Sequence, residues 1–319
     1  MTNIIKKIIG LMTLSLLYTS LSYAESQKEQ LTRAYDALAI EDYSVSFNIF
    51  ERLAKQGVSE AHFALALFYK FGWGKVKQDT EQACQLFLTA AEHGIPTAQQ
   101  EYGFCLLQHG ATNTTETPSD WFELAFKNGI YEAACDKGRL YLGTQWHTPN
   151  VHSAIDWCQR AAERSAVKAQ ETLGDIYSSS PEVFDAARAE YWYQQAINNR
   201  SGEAAYKLAL LYLEATGEAM GDDHSSNKAL YFFEVASSMK LEKAYQPTAK
   251  LYWKKRQQSE HGGSQVMAKS YLWAKAAHQV EPTAETLLLL NDIKREMPPE
   301  WKSKLDSQVE EFLNHTKDQ

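Results

Sequence analysis

Residues 61 to 94 read Ala61-His-Phe-Ala-Leu65-Ala66-Leu-Phe-Tyr69-Lys-Phe-Gly72-Trp-Gly74-Lys-Val76-Lys-Gln-Asp79-Thr-Glu-Gln-Ala83-Cys84-Gln-Leu86-Phe-Leu-Thr-Ala90-Ala91-Glu-His-Gly94. Ala61, Leu65 and Tyr69 fall at four-residue steps on one helical face, Gly72 and Gly74 break that helix, and Ala83, Leu86 and Ala90 form a second stripe. The stretch predicts two helices and a turn. Asp79, with Gln82 three residues on, has the form of an N-terminal capping box, its carboxylate placed to accept the orphan amide donors of the second helix.

The same order recurs along the chain. Gly103 and Leu106 lead to Trp121 and Ala125; Gly138 and Tyr141 to Ala154, Trp157 and Ala161-Ala162; Leu173-Gly174 and Tyr177 to Ala189, Trp192 and Ala196. Leu208-Ala209 and Tyr212 lead to Ala229, Phe232 and Ala236, and Ala249 and Tyr252 to Ala268, Leu272 and Ala276-Ala277. Aligned at the end of each second helix, the turns fall at Gly57, Gly94, Gly129, Ser165, Arg200, Lys240 and Val280, in steps of 37, 35, 36, 35, 40 and 40 residues. A period near 36 means stacked helical hairpins, in which small residues let helices approach and bulky rings fill the gaps. Tyr69, Tyr141, Tyr177, Tyr212, Trp121, Trp157 and Trp192 recur in phase and are expected in the core.

Alanine, Leu-Gly or Leu-Ala, Tyr, Gly-x-Gly-x-Val, Asp-x-x-x-Ala, Ala-Ala and Gly, best preserved in residues 61 to 94, form a pattern that resembles the Sel-1-like repeat of the tetratricopeptide-like superfamily. The resemblance spans roughly residues 27 to 280, with the Gly-x-Gly-x-Val loop kept only at Gly72 to Val76. It implies an all-α, right-handed alpha-solenoid of stacked antiparallel hairpins, serving as an adaptor surface rather than performing a particular reaction. The expected organisation is a signal peptide at 1–24, an N-terminal capping hairpin at 25–60, about six repeats at 61–280, and C-terminal capping helices at 281–319. Pro298-Pro299 is expected to stop one terminal helix and start the next near Glu300.

Composition narrows function. The 319 residues are 44% hydrophobic and 23% charged, with 16 Gly and 8 Pro, so low-complexity and largely disordered readings are excluded. Thirty-two Lys and Arg against forty Asp and Glu give a net charge of -8, and Lys254-Lys255-Arg256 is the longest basic run, which excludes a nucleic-acid partner. Lys6 and Lys7, an apolar run from Ile8 to Leu17, and Ser22-Tyr23-Ala24 read as a cleavable export signal whose core is too short to span a bilayer. The expected address is the periplasm, with secretion to engage a host protein as the alternative.

Chemistry-bearing motifs are sparse. His147 to His152 and Asp222-Asp223-His224 lack metal-site spacing, and no phosphate loop, G-x-S-x-G or H-E-x-x-H occurs. No enzyme activity, metal or cofactor is expected. An alternative reading is a weak binder or hydrolase of beta-lactam-like molecules or cell-wall fragments, although the regular cysteine pattern of the family branch linked with that activity is not reproduced. Of the four cysteines, Cys84 and Cys105 lie at similar heights on neighbouring helices and are expected to pair; Cys135 and Cys158 are either a second pair or two buried thiols.

A protein or peptide partner is expected on the concave face formed by the first helices. Repeat phase picks Phe63, Leu67 and Lys70 in the best-preserved copy, then Phe104, Arg139, Glu171, Asp175, Tyr206, Leu210, Lys250 and Trp253. Mixed charge with exposed aromatics suits a peptide segment, because aromatics and Arg dominate binding hot spots.

Overall fold

A computed structural model describes residues 27–109, 116–215, 223–258 and 263–314; the export signal lies outside them. The chain divides into two compact units, 1–140 with 145–147 and 141–144 with 148–319. The first holds α1 (27–39), α2 (Tyr43–Lys55), α3 (Ser59–Phe71), α4 (Thr80–Glu92), α5 (Pro96–His109), α6 (Pro118–Lys127) and α7 (Glu132–Arg139). The second holds α8 (Val151–Ala162), α9 (Val167–Ser179), α10 (Ala186–Asn198), α11 (Gly202–Ala215), α12 (Asp223–Ser238), α13 (Tyr245–Gln258), α14 (Ser264–Val280), α15 (Ala284–Glu296) and α16 (Lys302–Asn314). Among the described residues there is no strand. Successive helices from α2 to α7 in the first unit and from α8 to α15 in the second pack side by side, α16 packs on α14, and α9 also meets α11, as α13 meets α15.

One position in each second helix anchors the packing. Phe50, Phe87, Phe122, Cys158, Tyr193, Phe233 and Tyr271 are all at most 2% exposed. They stand one residue beyond the Trp121, Trp157 and Trp192 phase: Trp121 is buried, but Trp157 and Trp192 are only half-buried. Tyr177 is buried, and Tyr69, Tyr141 and Tyr212 are half-buried.

Opposite these rings the first helices carry the smallest residues. A Cβ on Gly103 would stand 2.6 Å from Phe122, and one on Gly174 would stand 2.4 Å from Tyr193. The equivalent places are filled by Ala66, Ala209 and Ala249, all fully buried.

The register of the last hairpin departs from expectation. Tyr271, not Leu272 or its neighbour Trp273, takes the central place, with Met267 and Ala274 beside it. The reason is loop length: 216–222 separate α11 from α12, whereas only 259–263 separate α13 from α14, so the second helix slides two residues.

Turns between hairpins follow one plan. Gly57, Gly94, Gly129, Ser165, Arg200 and Lys240 all have positive φ. In each turn the amide of the following residue donates back to a helix carbonyl five residues earlier, as Val58 does to Leu53, Ile95 to Ala90 and Leu241 to Ala236. That six-residue ring is a Schellman closure, which satisfies helix-end carbonyls and needs a left-handed residue, hence the glycines. Val280 departs from the plan: it is the last residue of α14, Glu281 is the C-cap, and Thr283 caps the next helix.

Three loops inside hairpins close alike. The amide of Asp79 donates to Tyr69 O (2.9 Å), that of Asn150 to Tyr141 O (2.8 Å), and that of Asp185 to Tyr177 O (2.8 Å). Each of these residues then caps its helix, accepting from the amide three residues on at 3.0 Å. Pro299–Trp301 forms a 3-10 turn, and α16 starts at Lys302, two residues beyond the expected start.

Cys84 and Cys105 are bonded, with Cα atoms 5.8 Å apart, tying α4 to α5. Closing a loop of 21 residues stabilises the fold by about 3 kcal/mol on the chain-entropy account. Cys135 and Cys158 are also disulfide-bonded, so the reading of two buried thiols is corrected.

Gly174→Ala is expected to destabilise the protein by about 1–3 kcal/mol, because the Tyr193 ring cannot yield without losing its hydroxyl bond to Asp175; urea unfolding measures this. Lys240→Gly removes left-handed strain and is expected to stabilise by about 0.5–1 kcal/mol in the same assay. Glu123 accepts from Lys127 and Lys137, which hold its pKa down at about 2 against an ordinary 4.5. Its contribution is therefore present above pH 4.5 and lost as pH falls toward 2, and melting curves across that interval should fall less steeply for Glu123→Gln than for the parent chain.

Candidate functional site

The first helices carry the predicted face, and the structure shows what holds each of its side chains. Phe63 is half-buried with its ring 5.8 Å from Phe87, Leu67 packs on the same cluster, and Phe104 lies 5.0 Å from Phe122. Tyr206 sits 5.4 Å from Phe233 under the ammonium of Lys243, and Leu210 is half-buried. These residues line the flank of the core, so each gives part of its surface to packing and part to solvent.

Two of the predicted residues do not present a side chain to solvent. Trp253 is 8% exposed and packs against Met267, Tyr271 and Ile293 in the core. Glu171 is 5% exposed; its carboxylate accepts from Ser201 Oγ (2.6 Å) and Lys168 Nζ (2.8 Å). Trp253 lies on the side of α13 that α14 and α15 cover, and Glu171 is needed where α9 meets the start of α11.

The charged positions are joined from one repeat to the next. Lys70 on α3 pairs with Glu101 on α5 at 2.6 Å, and Gln100 donates to Asp136 on α7 at 2.6 Å. Asp175 on α9 accepts from Lys207 on α11 (2.7 Å), Lys243 pairs with Glu203 (2.8 Å), and Lys250 on α13 pairs with Glu285 on α15 (2.5 Å). Burial raises the Asp136 pKa despite the Gln100 bond and nearby Arg139. Arg139 is exposed, 3.6 Å from Asp136. Glu101, Asp136, Lys207, Glu203, Lys243 and Glu285 were not among the predicted residues; their signal is a complementary polar side chain about one repeat away.

A second set of bonds ties the hairpins elsewhere. Gln99 donates to Ala91 O and accepts from Asn128; Gln170 donates to Ala162 O and accepts from Asn199. The two copies have identical spacing. Tyr252 donates to Glu234 (2.6 Å), and Lys269 reaches both Glu234 (2.6 Å) and the Tyr252 hydroxyl (3.0 Å). Burial and the Glu234 carboxylate push the Tyr252 phenol up to about 12. A cavity of about 490 Å³ opens beside this trio, walled by Leu272, Trp273 and Phe312.

Among the described residues no group of three or more His, Cys, Asp or Glu side chains is placed to hold a metal ion. His152 is exposed, 3.5 Å from Glu182, and Asp222 lies outside the described residues. The side chains assembled on the first helices are paired charges, amides and half-buried rings.

Comparison with known proteins agrees with this architecture. The Sel1 repeat matches residues 59–95, 131–165, 167–201 and 202–241. The hairpin α5–α6 and the hairpin α13–α14 fall outside those matches yet are built alike. An uncharacterized protein of Neisseria meningitidis serogroup B is 27% identical over 168 residues, 52% of this chain; the match spans 35% of that protein, about a third of its length. A Sel1 repeat protein from Oxalobacter formigenes has a similar structure, with a TM-score of 0.60 and 24% identity, over 79% of this chain and all of that one. So does a protective antigen present in uropathogenic Escherichia coli strains and displaying an SLR fold, with a TM-score of 0.59 and 21% identity, over 85% of this chain and 56% of that one. Four matched repeats, each falling on stacked helical hairpins, show that this chain is a Sel1-repeat protein.

Proposed function

We propose that the chain is an exported, non-enzymatic scaffold that binds a protein partner along the first-helix faces of its repeats. The observation that carries this reading is the run of cross-repeat pairs, Lys70 with Glu101, Asp175 with Lys207, and Lys250 with Glu285. Each pair fixes two long side chains that otherwise lose conformational entropy on binding, so the face is preorganised for a partner. Half-buried Phe63, Phe104 and Tyr206 beside the charges supply apolar contact area, and exposed Arg139 supplies donors to a carboxylate or carbonyl. Sel1 folds are typical of protein interaction scaffolds, which supports the same class.

Export is supported by two features. The sequence begins with a basic segment followed by a short apolar run, and all four cysteines are in disulfides, the state expected of an oxidising compartment. No helix among the described residues is long and apolar enough to cross a membrane.

The test uses the full chain as bait in envelope extracts, with Arg139→Glu in one unit and Lys250→Glu in the other. Both positions are exposed, so the substitutions leave packing intact, whereas Trp253→Ala would damage the core. Loss of at least one specifically captured protein, with tenfold or weaker affinity in either variant, is the expected result. Retention of every partner by the double variant would reject the first-helix faces, and recovery of the native chain in the cytosolic fraction would reject export.

A further inference from the structure

The cavity of about 490 Å³ beside Glu234 is built by α12, α14 and α16 of the second unit. On α14, Lys269, Leu272, Trp273 and Ala276 stand at positions i, i+3, i+4 and i+7, so a single helical stripe makes one wall. With Tyr271 in the core, Trp273 lies about 200° further round α14 and turns toward the cavity. Val309 and Phe312 of α16 complete the apolar lining.

Three rings fix the apolar end. Trp273 meets Phe312 at 5.5 Å with the ring planes at 90°. Buried Tyr245 backs both, 5.5 Å from Trp273 and 6.0 Å from Phe312. Trp273 and Phe312 are half-buried, and each keeps part of its surface on the cavity.

The polar end is rich in acceptors. Lys269 already donates to Glu234 Oε1 (2.6 Å) and to the Tyr252 hydroxyl (3.0 Å), which commits two of its three donors. Glu234 Oε2 accepts from Tyr252 at 2.6 Å, so each carboxylate oxygen carries one bond and has capacity for a second. Exposed Glu311 brings another carboxylate to the rim. Two carboxylates against one engaged ammonium favour a cationic donor over an anion.

We propose that this cavity receives a basic, apolar segment of a protein partner, with an aliphatic or aromatic side chain seated against Trp273 and Phe312 and a neighbouring lysine or arginine reaching Glu234 and Glu311. The volume lies within the roughly 300–1,000 Å³ of pockets that enclose a ligand. The ring faces of Trp273 and Phe312 carry partial negative charge and attract the same cation. An acidic segment instead sets its carboxylate against Glu234 and Glu311 and is rejected. The helices concerned are the second members of their hairpins, so this contact is separate from the first-helix faces and does not depend on them.

The experiment selects a random peptide library on the full chain, then measures the enriched peptides, made as fluorescent probes, against the parent chain, Glu311→Lys and Phe312→Ala. The expected peptides place Lys or Arg beside an apolar residue and bind each variant at least tenfold more weakly. A selection that yields only peptides retained by both variants, or only acidic ones, overturns the site, as does a selection that enriches nothing. Chain labelled with fluorotryptophan, its Trp273 signal assigned through Trp273→Phe, reports occupancy by nuclear magnetic resonance. A shift of that signal with phenethylammonium and none with any enriched peptide overturns the assignment to a protein segment. Exposed Glu311 keeps the test valid if Phe312→Ala disturbs packing on Tyr245.

Discussion

The close approach of a first-helix backbone to a second-helix ring is the contact on which the other features depend. Where Gly103 and Gly174 stand, no room exists even for a methyl group, because Phe122 and Tyr193 lie against the backbone itself. Dispersion falls steeply with separation, so a helix pair held at this distance gains contacts along its length that a wider pair would forfeit. Tyr193 adds a polar requirement: its hydroxyl bonds Asp175 and meets Ser178 at 3.2 Å, so ring position and first-helix charge are coupled. Asp175 in turn accepts from Lys207 of the next hairpin, and a packing contact within one repeat thereby sets a polar contact between two.

Turn chemistry protects that contact from variation in loop length. Three hairpin loops differ in sequence, yet in each the bond from the capping residue to a tyrosine carbonyl ties one helix start to the preceding helix end. Between hairpins the left-handed residue and its back-bonded neighbour do the same. Where the intervening loop shortens, before α14, the helix slides and a different residue enters the core. Burial is retained because α14 offers Tyr271 two residues ahead of Trp273.

The proposed function draws on the order these contacts impose within each unit. In the proposed scaffold role, a face whose charges are already paired from repeat to repeat would recognise a partner by shape and by exposed groups such as Arg139.

Much of this was legible in the residues. The small-and-bulky period, the turn positions from Gly57 to Lys240, the Asp79 cap and the Cys84–Cys105 bond follow from local helical geometry and a repeated length, and local geometry is written in adjacent residues. Trp121 is in the core as expected, but at two other copies the deeply buried place lies one residue on, at Cys158 and Tyr193 rather than Trp157 and Trp192, since neighbours on a helix differ by about 100° and both suit an apolar stripe. Exposure of Trp253 and Glu171 was misread because it depends on which other helices cover them, a fact that lies tens of residues away. The partners of Lys70, Asp175 and Lys250 belong to the same class: a charge of opposite sign one repeat away is common, and only the stacking of hairpins decides which pairs come within bonding distance.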